Sequence, residues 1–205
     1  LEACGYDGAF SYETKHDPFL PLALAAQQTS SLRLGTAIAI AFARTPMLSA
    51  MGGWDLQVYA RGRFSLGLGT QVRAHIERRF SMPWSRPAAR MREFILATRA
   101  IWAAWNDAAP LQFRGEFYRH TLMTPFFSPG PNPFGPPKVF LAGVGEYMTE
   151  DFVPISLDAE VGEAALGAVA HVVAREDIVH GHARRRRPDA VLGRHLGRHV
   201  DRLRA

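Results

Sequence analysis

The chain has 205 residues, 47% of them hydrophobic and 21% charged, which excludes a wholly disordered protein. This length allows one sizeable domain but is short for a complete eight-stranded α/β barrel. The formal net charge is +5, but eight of the 24 basic and two of the 19 acidic side chains lie in residues 181–205. Because 16 basic and 17 acidic side chains remain in residues 1–180, the excess positive charge belongs to residues 181–205.

The sequence also argues against several classes of protein. The single cysteine, Cys4, can form neither an internal disulfide bond nor a cysteine metal cluster, and the histidines have no spacing typical of metal ligands. No uncharged apolar run reaches the ~18 residues of a membrane helix, and no secretory signal is visible. We therefore expect a cytoplasmic protein without a metal. Because residue 1 is leucine rather than methionine, we expect the chain to begin inside a longer reading frame.

The first part of the chain alternates short strands with helices. Gly5 suits the end of a helix, because glycine takes a positive φ without strain, and residues 8–13 then form a short strand. The pair Asp17-Pro18 is a helix-start signal, a capping carboxylate followed by proline, for a helix that reaches about residue 28. Residues 33–42 are nearly uncharged, which predicts one strand covered on both faces, as in a parallel sheet.

The same pattern continues with a second and a third helix. The pair Thr45-Pro46 begins a helix that Gly62 ends, and residues 64–69 form the next strand. Ser85 and Pro87 open the clearest helix, because apolar residues then recur every three or four positions. We predict that this stripe is core: Met91, Phe94, Ile95, Thr98, Ile101, Trp102 and Trp105.

The order of these elements predicts a parallel α/β sheet. Residues 113–122 resemble a short hairpin or an extended excursion, and residues 128–137 carry five prolines and must form a loop. Residues 138–145 are a fourth apolar strand ending in glycines. Strands that alternate with helices imply parallel pairing with right-handed crossovers. A barrel and a doubly wound sheet both satisfy this pattern.

Candidate chemistry lies where the predicted strands end, because parallel α/β proteins place their sites there. The loop of residues 13–19 contains His16, a residue type able to exchange a proton near neutral pH. In the alternative interpretation this is a solvated loop in which Asp17 only caps a helix. The glycines of residues 67–69 and 143–145 would let backbone amides approach a phosphate or a flat ring, or are ordinary turn glycines.

Five segments occur in a distinctive order. They are Gly5-Tyr-Asp-Gly8, Glu13-Thr-Lys-His-Asp-Pro-Phe19, Arg33-Leu-Gly-Thr-Ala-Ile-Ala39, Arg63-Phe-Ser-Leu-Gly-Leu-Gly-Thr70 and Pro137-Lys-Val-Phe-Leu-Ala-Gly-Val-Gly145. Together they resemble the luciferase-like monooxygenase superfamily, most closely its deazaflavin-dependent oxidoreductase branch. Each motif is loose alone, but the five in this order are specific.

The resemblance implies a (β/α)8 TIM barrel, of which this chain would hold about strands 2 to 5. The cofactor at its mouth would be the 8-hydroxy-5-deazaflavin coenzyme F420, or alternatively FMN. Either cofactor would carry a hydride to or from a small organic substrate. His16 would lie near the ring as the catalytic residue, hydrogen-bonding and relaying a proton. Ala37 and Ile38 match a bulge behind the ring, often with a non-prolyl cis peptide. The other implied cofactor-binding residues are Gly69, Thr70, Gly143, Val144 and Gly145.

The chain departs from this resemblance at two single positions and in its C-terminal part. Val72 lies where some deazaflavin enzymes have glutamate, and Glu146 lies where proline is common. We divide the chain into a partial barrel domain, residues 1–150, and a divergent arginine-rich tail, residues 151–205. Every amino-acid type in residues 181–205 has codons beginning with G or C. We therefore hypothesise that the tail is an out-of-frame reading of GC-rich DNA. If neither other frame of the native DNA restores a barrel sequence, this hypothesis is wrong.

A partial barrel has consequences for function. It leaves two unpaired sheet edges, so we expect weak or absent cofactor binding by this chain and a tendency to aggregate. A complete barrel would allow a homodimer. One alternative is nucleic-acid binding through the four arginines of residues 184–187, which would neutralise phosphates, although no aromatic residue follows Phe152 for base stacking. A non-functional fragment is the other alternative.

Overall fold

The computed structural model of the chain describes residues 1–142. Its strands are β1 (Gly8–Ser11), β2 (Arg33–Thr36), β3 (Ala39–Ile40), β4 (Phe64–Gly69), β5 (Phe113–Arg114), β6 (Arg119–His120) and β7 (Lys138–Leu141). Its α-helices are α1 (Leu20–Gln28), α2 (Pro46–Tyr59), α3 (Arg73–Arg78) and α4 (Pro87–Asp107). Three short 3-10 helices span Glu2–Cys4, Ala41–Ala43 and Pro125–Phe127. The end of the predicted strand 138–145 and the whole tail from residue 151 lie outside the described residues.

The main sheet is parallel, as the sequence predicts. Strand β1 pairs with β2, both β2 and β3 pair with β4, and β4 pairs with β7 on its other side. Since β2 and β3 share one neighbour, they are two parts of one interrupted strand. The four resulting strands therefore lie side by side in chain order. A doubly wound sheet reverses direction at a switch point, whereas a barrel keeps its strands in sequence, so this order favours the barrel.

Two predicted helix-start signals function in the structure, although one helix begins later than expected. The Thr45 side chain accepts a hydrogen bond from the Leu48 amide (3.3 Å), and α2 begins at Pro46. One carboxylate oxygen of Asp17 accepts the amides of Phe19 (2.8 Å) and Leu20 (3.1 Å). Because these bonds form a turn before the helix, α1 begins at Leu20 rather than at Pro18.

Helix α4 supplies much of the core, and all seven residues of its predicted stripe are buried. The Trp54 ring of α2 lies 6.5 Å from the Trp102 ring in a stacked arrangement and 5.5 Å from the Trp105 ring in an edge contact. The Trp102 indole N–H donates to the Ala50 carbonyl (3.0 Å), which satisfies its polar atom inside the core. A Cβ on Gly53 would lie 3.2 Å from Trp102, so the missing side chain lets the two helices approach closely.

The predicted hairpin and proline loop are confirmed as well. Strands β5 and β6 pair antiparallel, and the Glu93 carboxylate of α4 accepts the amides of Glu116, Phe117 and Tyr118 at 2.6–2.9 Å. Residues 128–137 contain neither helix nor strand. None of the helices in residues 1–142 combines the length and the apolar composition that crossing a bilayer requires.

The N-terminal segment is attached at the amino end of the sheet by Glu2. Its carboxylate accepts the hydroxyl of Ser31 (2.7 Å) and the backbone amides of Ser30, Ser31 and Leu32, just before β2. These bonds stabilise the ionised form. The Ser31 hydroxyl, followed by the Ser31 and Ser30 amides, lowers the pKa of Glu2 from 4.5 to about 2.

We predict a pH dependence of stability from this carboxylate. Because the pKa of Glu2 is lower in the folded chain, its contribution is complete above pH 4.5 and is lost as the pH falls towards 2. Chemical denaturation over this range should therefore show a steeper fall in unfolding free energy for the wild type than for Glu2→Gln. The control Glu77→Gln alters an exposed carboxylate that pairs with Arg73 on α3 and should keep the wild-type slope. Parallel profiles for the wild type and Glu2→Gln would contradict the assignment.

Candidate functional site

The carboxyl ends of the parallel strands form one edge of the sheet, which we call the mouth. Three loops meet there: residues 12–19 after β1, residues 41–45 after β3 and residues 70–72 after β4. Helices α1 and α2 pack on the outer face of the sheet, where Leu66 of β4 points towards Gly53 of α2, and α4 packs against α2. The opposite, concave face corresponds to the inside of a barrel.

The second strand of the sheet contains one extra residue near the mouth. Gly35 pairs with Ser65 and Ala39 pairs with Leu68, so three residues of this strand lie opposite two residues of β4. The peptide bond inside this bulge, Ala37-Ile38, is cis. The prediction of one continuous strand over residues 33–42 is therefore wrong, because the chain leaves the ladder at Ala37 and returns to it at Ala39. The interruption lies where the family resemblance places a bulge.

The Thr36 hydroxyl replaces the interstrand hydrogen bonds that β4 loses where the bulge interrupts the sheet. This buried hydroxyl donates to the Gly67 carbonyl (2.7 Å) and accepts the Gly67 amide (2.9 Å). One side chain thus satisfies both backbone groups of Gly67, which would otherwise be buried without partners. Gly67 must lack a side chain, because a Cβ there would overlap the Thr36 carbonyl and the Phe140 ring.

The end of β1 holds the bulge from the other side. The Ala37 amide donates to the Ser11 carbonyl (2.7 Å), and the Glu13 amide donates to the Ile38 carbonyl (3.2 Å). The Glu13 carboxylate then accepts the Ile40 amide (2.7 Å), so it ties the loop after β1 to β3. Backbone and side-chain bonds from both neighbouring strands therefore fix the bulge.

Arg44 joins the two acidic residues of the loop after β1. Its guanidinium pairs with the Glu13 carboxylate, which is only 8% exposed, and with Asp17 (3.2 Å). It also donates to the Ile40 carbonyl (3.2 Å) and lies over the Phe19 ring. Separating the partners of a largely buried pair would leave an uncompensated charge. The ion pairs of Arg44 therefore hold the loop after β1 in one position.

The structure places the predicted catalytic histidine within this fixed loop. His16 is exposed at the mouth, between Glu13 and Asp17, and has no hydrogen-bond partner among residues 1–142. Thr70 follows β4 at the same edge, and its hydroxyl donates to the Gln71 carbonyl (3.0 Å). The chain thus brings the ends of β1, β3 and β4 together at the mouth. Their roles towards a cofactor stay predictions.

Three further predicted cofactor-binding residues, Gly143, Val144 and Gly145, lie outside the described residues.

The concave wall below the mouth is apolar. Phe10 of β1 and Phe140 of β7 meet edge to face, with ring centroids 6.0 Å apart, above the glycines of β2 and β4. A Cβ on Gly35 would lie 3.0 Å from the Phe10 ring. Phe10 is 51% exposed, so an aromatic surface faces the open concave side.

A cavity of about 520 Å³ lies at the opposite end of the sheet. Gln28, Tyr59 and Arg61 help to line it, at the ends of α1 and α2 and therefore at the amino ends of the strands. In parallel α/β folds chemistry occurs at the carboxyl ends of the strands, whereas the amino-terminal face contributes stability. We therefore place the functional site at the mouth rather than in this cavity.

Sequence reasoning missed three residues that build the site. Thr36 lies within an apolar run, which gives no sign that its hydroxyl replaces ladder bonds. Glu13 lies in a segment whose sequence indicates only a polar loop, and its partner Arg44 is 31 residues away. The two carboxylates that flank His16 mark the loop as polar, but they do not indicate which cation pairs with them.

Comparison with known proteins identifies the family. A sequence model of the luciferase-like monooxygenase family matches residues 1–187, and the chain belongs to this family. The matched range extends beyond residue 150, whereas the boundary between barrel domain and tail stays a prediction.

Two mycobacterial proteins are among the curated relatives. An uncharacterised protein of Mycobacterium tuberculosis is 59% identical over 167 residues, which are 82% of this chain and 47% of that protein. A second protein of the same organism, provisionally named a coenzyme F420-dependent oxidoreductase, is 34% identical over 59% of this chain and 34% of its own length. The chain thus spans about half the length or less of these relatives.

Solved structures confirm the fold. The coenzyme F420-dependent tetrahydromethanopterin reductase of Methanopyrus kandleri has a TM-score of 0.61 at 18% identity, covering 76% of this chain and 47% of its own. The FMN-bound oxygenating component of a diketocamphane monooxygenase from Pseudomonas putida has a TM-score of 0.58 at 16% identity. The match covers 69% of this chain and 43% of that component. The described residues therefore form part of the barrel of this family.

The role of Thr36 gives a second prediction. Thr36→Val removes the hydroxyl and leaves the buried amide and carbonyl of Gly67 without that partner, so it should cost about 1–3 kcal/mol of unfolding free energy. Thr36→Ser keeps the hydroxyl and should recover most of this loss. Urea denaturation of the three proteins measures the difference. If the valine variant is as stable as the serine variant, the hydroxyl does not repair the ladder.

Proposed function

We propose that this chain is the cofactor-binding part of a luciferase-like oxidoreductase, which uses a flavin or deazaflavin to transfer a hydride to or from a small organic substrate. The observation that carries the proposal is the fixed bulge at Ala37-Ile38. It lies at the mouth of a barrel sheet in a member of this family, beside an exposed histidine. The deazaflavin coenzyme F420 is our first choice, with FMN as the alternative.

The residues at the mouth fit a flat aromatic ring. Ala37, Ile38 and Gly69 form a wall without charged side chains, and Phe10 adds an exposed aromatic surface on the concave face. Polar groups, His16 and Thr70, lie at the rim, where they would orient the ring and the substrate. An apolar wall with a few convergent polar groups is the usual make-up of a cofactor site.

Two relatives support the choice of cofactor. A curated relative carries an F420-dependent name, and the Methanopyrus kandleri reductase is F420-dependent, whereas the Pseudomonas putida enzyme is in complex with FMN. The cofactor, when bound, supplies the hydride chemistry. We assign to the chain the tasks of binding and orienting its ring and of moving a proton.

His16 is the residue we assign to proton transfer. A carbonyl that accepts a hydride at carbon also needs a proton at oxygen, and an imidazole at the mouth is able to donate one. Arg44 fixes Glu13 and Asp17 on either side of the histidine, so the loop has little freedom to turn away. Glu13 and Arg44 therefore act as positioning residues.

The partners of this chain are proposals as well. A small organic molecule is the proposed substrate, and a homodimer is proposed for the complete barrel. Nucleic-acid binding through residues 184–187 depends on residues outside the described part of the chain, where no observation favours it.

The test is a titration of the purified 205-residue chain with oxidised coenzyme F420 and, separately, with FMN, followed by ligand fluorescence. Because hydrogen bonds from both neighbouring strands fix the bulge within the described residues, we narrow the expectation of weak or absent binding to weak but saturable binding of one of them. Reduced cofactor is then mixed with a set of small ketones and aldehydes, and its reoxidation is followed by visible absorbance. His16→Ala should slow this reoxidation at least about 100-fold while retaining cofactor binding.

The matched control is His75→Ala, which removes another exposed imidazole, on α3, and should keep the wild-type rate. Failure of both cofactors to bind up to the solubility limit would reject the proposed function. Binding with equal reoxidation rates for the wild type and His16→Ala would reject the role of His16.

A further inference from the structure

Gly69, the last residue of β4, is in unusually close contact with the bulge. A Cβ at this position would lie 2.8 Å from both Cδ1 and Cγ1 of Ile38, closer than real side chains approach each other. The Ile38 side chain therefore occupies the space that any residue larger than glycine would need. Gly69 is buried and its φ lies outside the left-handed region, so its backbone accepts alanine and the obstacle is steric.

Ile38 also lies on the functional side of the sheet. Residues of β4 alternate between its two faces. Leu66 points towards the helices, whereas Gly67 faces Phe140 on the concave side. Gly69 follows Gly67 by two positions and faces the same way, so the Ile38 side chain that covers it forms the upper part of the concave wall at the mouth.

The other glycines of the inner wall have different obstacles. A side chain on Gly67 would overlap backbone, the Thr36 carbonyl, so its effect would spread through the ladder. The atoms nearest to a Cβ on Gly69 all belong to one side chain, that of Ile38. Gly69 and Ile38 are therefore a matched pair, because the missing side chain at Gly69 leaves the space that the Ile38 side chain occupies.

We propose that Gly69 is a positioning residue that sets how far Ile38 projects into the mouth. With glycine at 69, the Ile38 side chain lies flat against β4, and the bulge presents a shallow surface to a ring. With alanine at 69, Ile38 is pushed towards the concave space that a flat ligand would occupy. This inference rests on the proposed function, because it concerns the depth of the proposed cofactor site.

The experiment is a double-mutant cycle with Gly69→Ala, Ile38→Ala and the combined variant. Each protein is titrated with coenzyme F420 and FMN at a temperature where circular dichroism shows that it is folded. Gly69→Ala should weaken binding about tenfold, the size of an ordinary overpacking effect. In the combined variant the smaller side chain at 38 leaves room for the alanine, so its affinity should return to that of Ile38→Ala. The control is Gly52→Ala on α2, where a Cβ would make only an ordinary 3.7 Å contact with Phe19.

The outcomes separate this inference from the function on which it rests. If the wild type binds a cofactor and Gly69→Ala binds it equally well, or if the combined variant binds as weakly as Gly69→Ala, the inference is overturned. If the wild type binds neither cofactor, the proposed function fails. The thermal unfolding midpoints of the same four proteins then decide the positioning alone: relief of the Gly69→Ala loss by Ile38→Ala supports it, and additive losses overturn it.

Discussion

The extra residue in the strand formed by β2 and β3 is the constraint on which the rest of the site depends. A parallel ladder that accepts an additional residue loses regular pairing on both sides, and the buried backbone groups must find other partners. Here the Thr36 hydroxyl serves both groups of Gly67, while the end of β1 binds Ala37 and Ile38. Because these partners come from both neighbouring strands, the bulge is part of the sheet and not a loop attached to it. The glycines of β4 follow from the same requirement, since the displaced backbone and side chain of the bulge fill their space.

The two ends of this sheet have different tasks. At the amino end, the Glu2 carboxylate binds the chain before β2, and the Arg63 guanidinium binds the carbonyls of Thr29 (2.8 Å) and Leu32. In these bonds two side chains hold neighbouring backbone segments together. At the carboxyl end, the ion pairs of Arg44 hold a loop whose histidine is exposed. The bonds of Glu2 and Arg63 thus hold the sheet together at its amino end, and the ion pairs of Arg44 orient an exposed side chain at its carboxyl end. This division between a stabilising end and a functional end is common in barrel enzymes.

Sequence patterns predicted the fold well wherever one local signal determined the structure. The apolar period of α4, the cap at Thr45 and the glycine-ended run of β4 all formed as expected, because burial, capping and strand geometry act over a few residues. The bulge was different, since an uncharged run shows no change of period where the chain leaves the ladder, and only the family resemblance indicated its place. The Glu13–Arg44 pair could not be predicted, because it joins residues 31 positions apart that only the folded sheet brings together.

We propose that a flat cofactor binds at the mouth against the Ala37-Ile38 bulge. The most direct measurement is a crystal structure of the chain grown with a saturating concentration of coenzyme F420 or FMN. We expect the ring to lie on the concave face at Ala37, Ile38 and Gly69, with His16 at its edge. A ring bound instead in the cavity beside Tyr59 and Arg61, at the amino end of the strands, would contradict it.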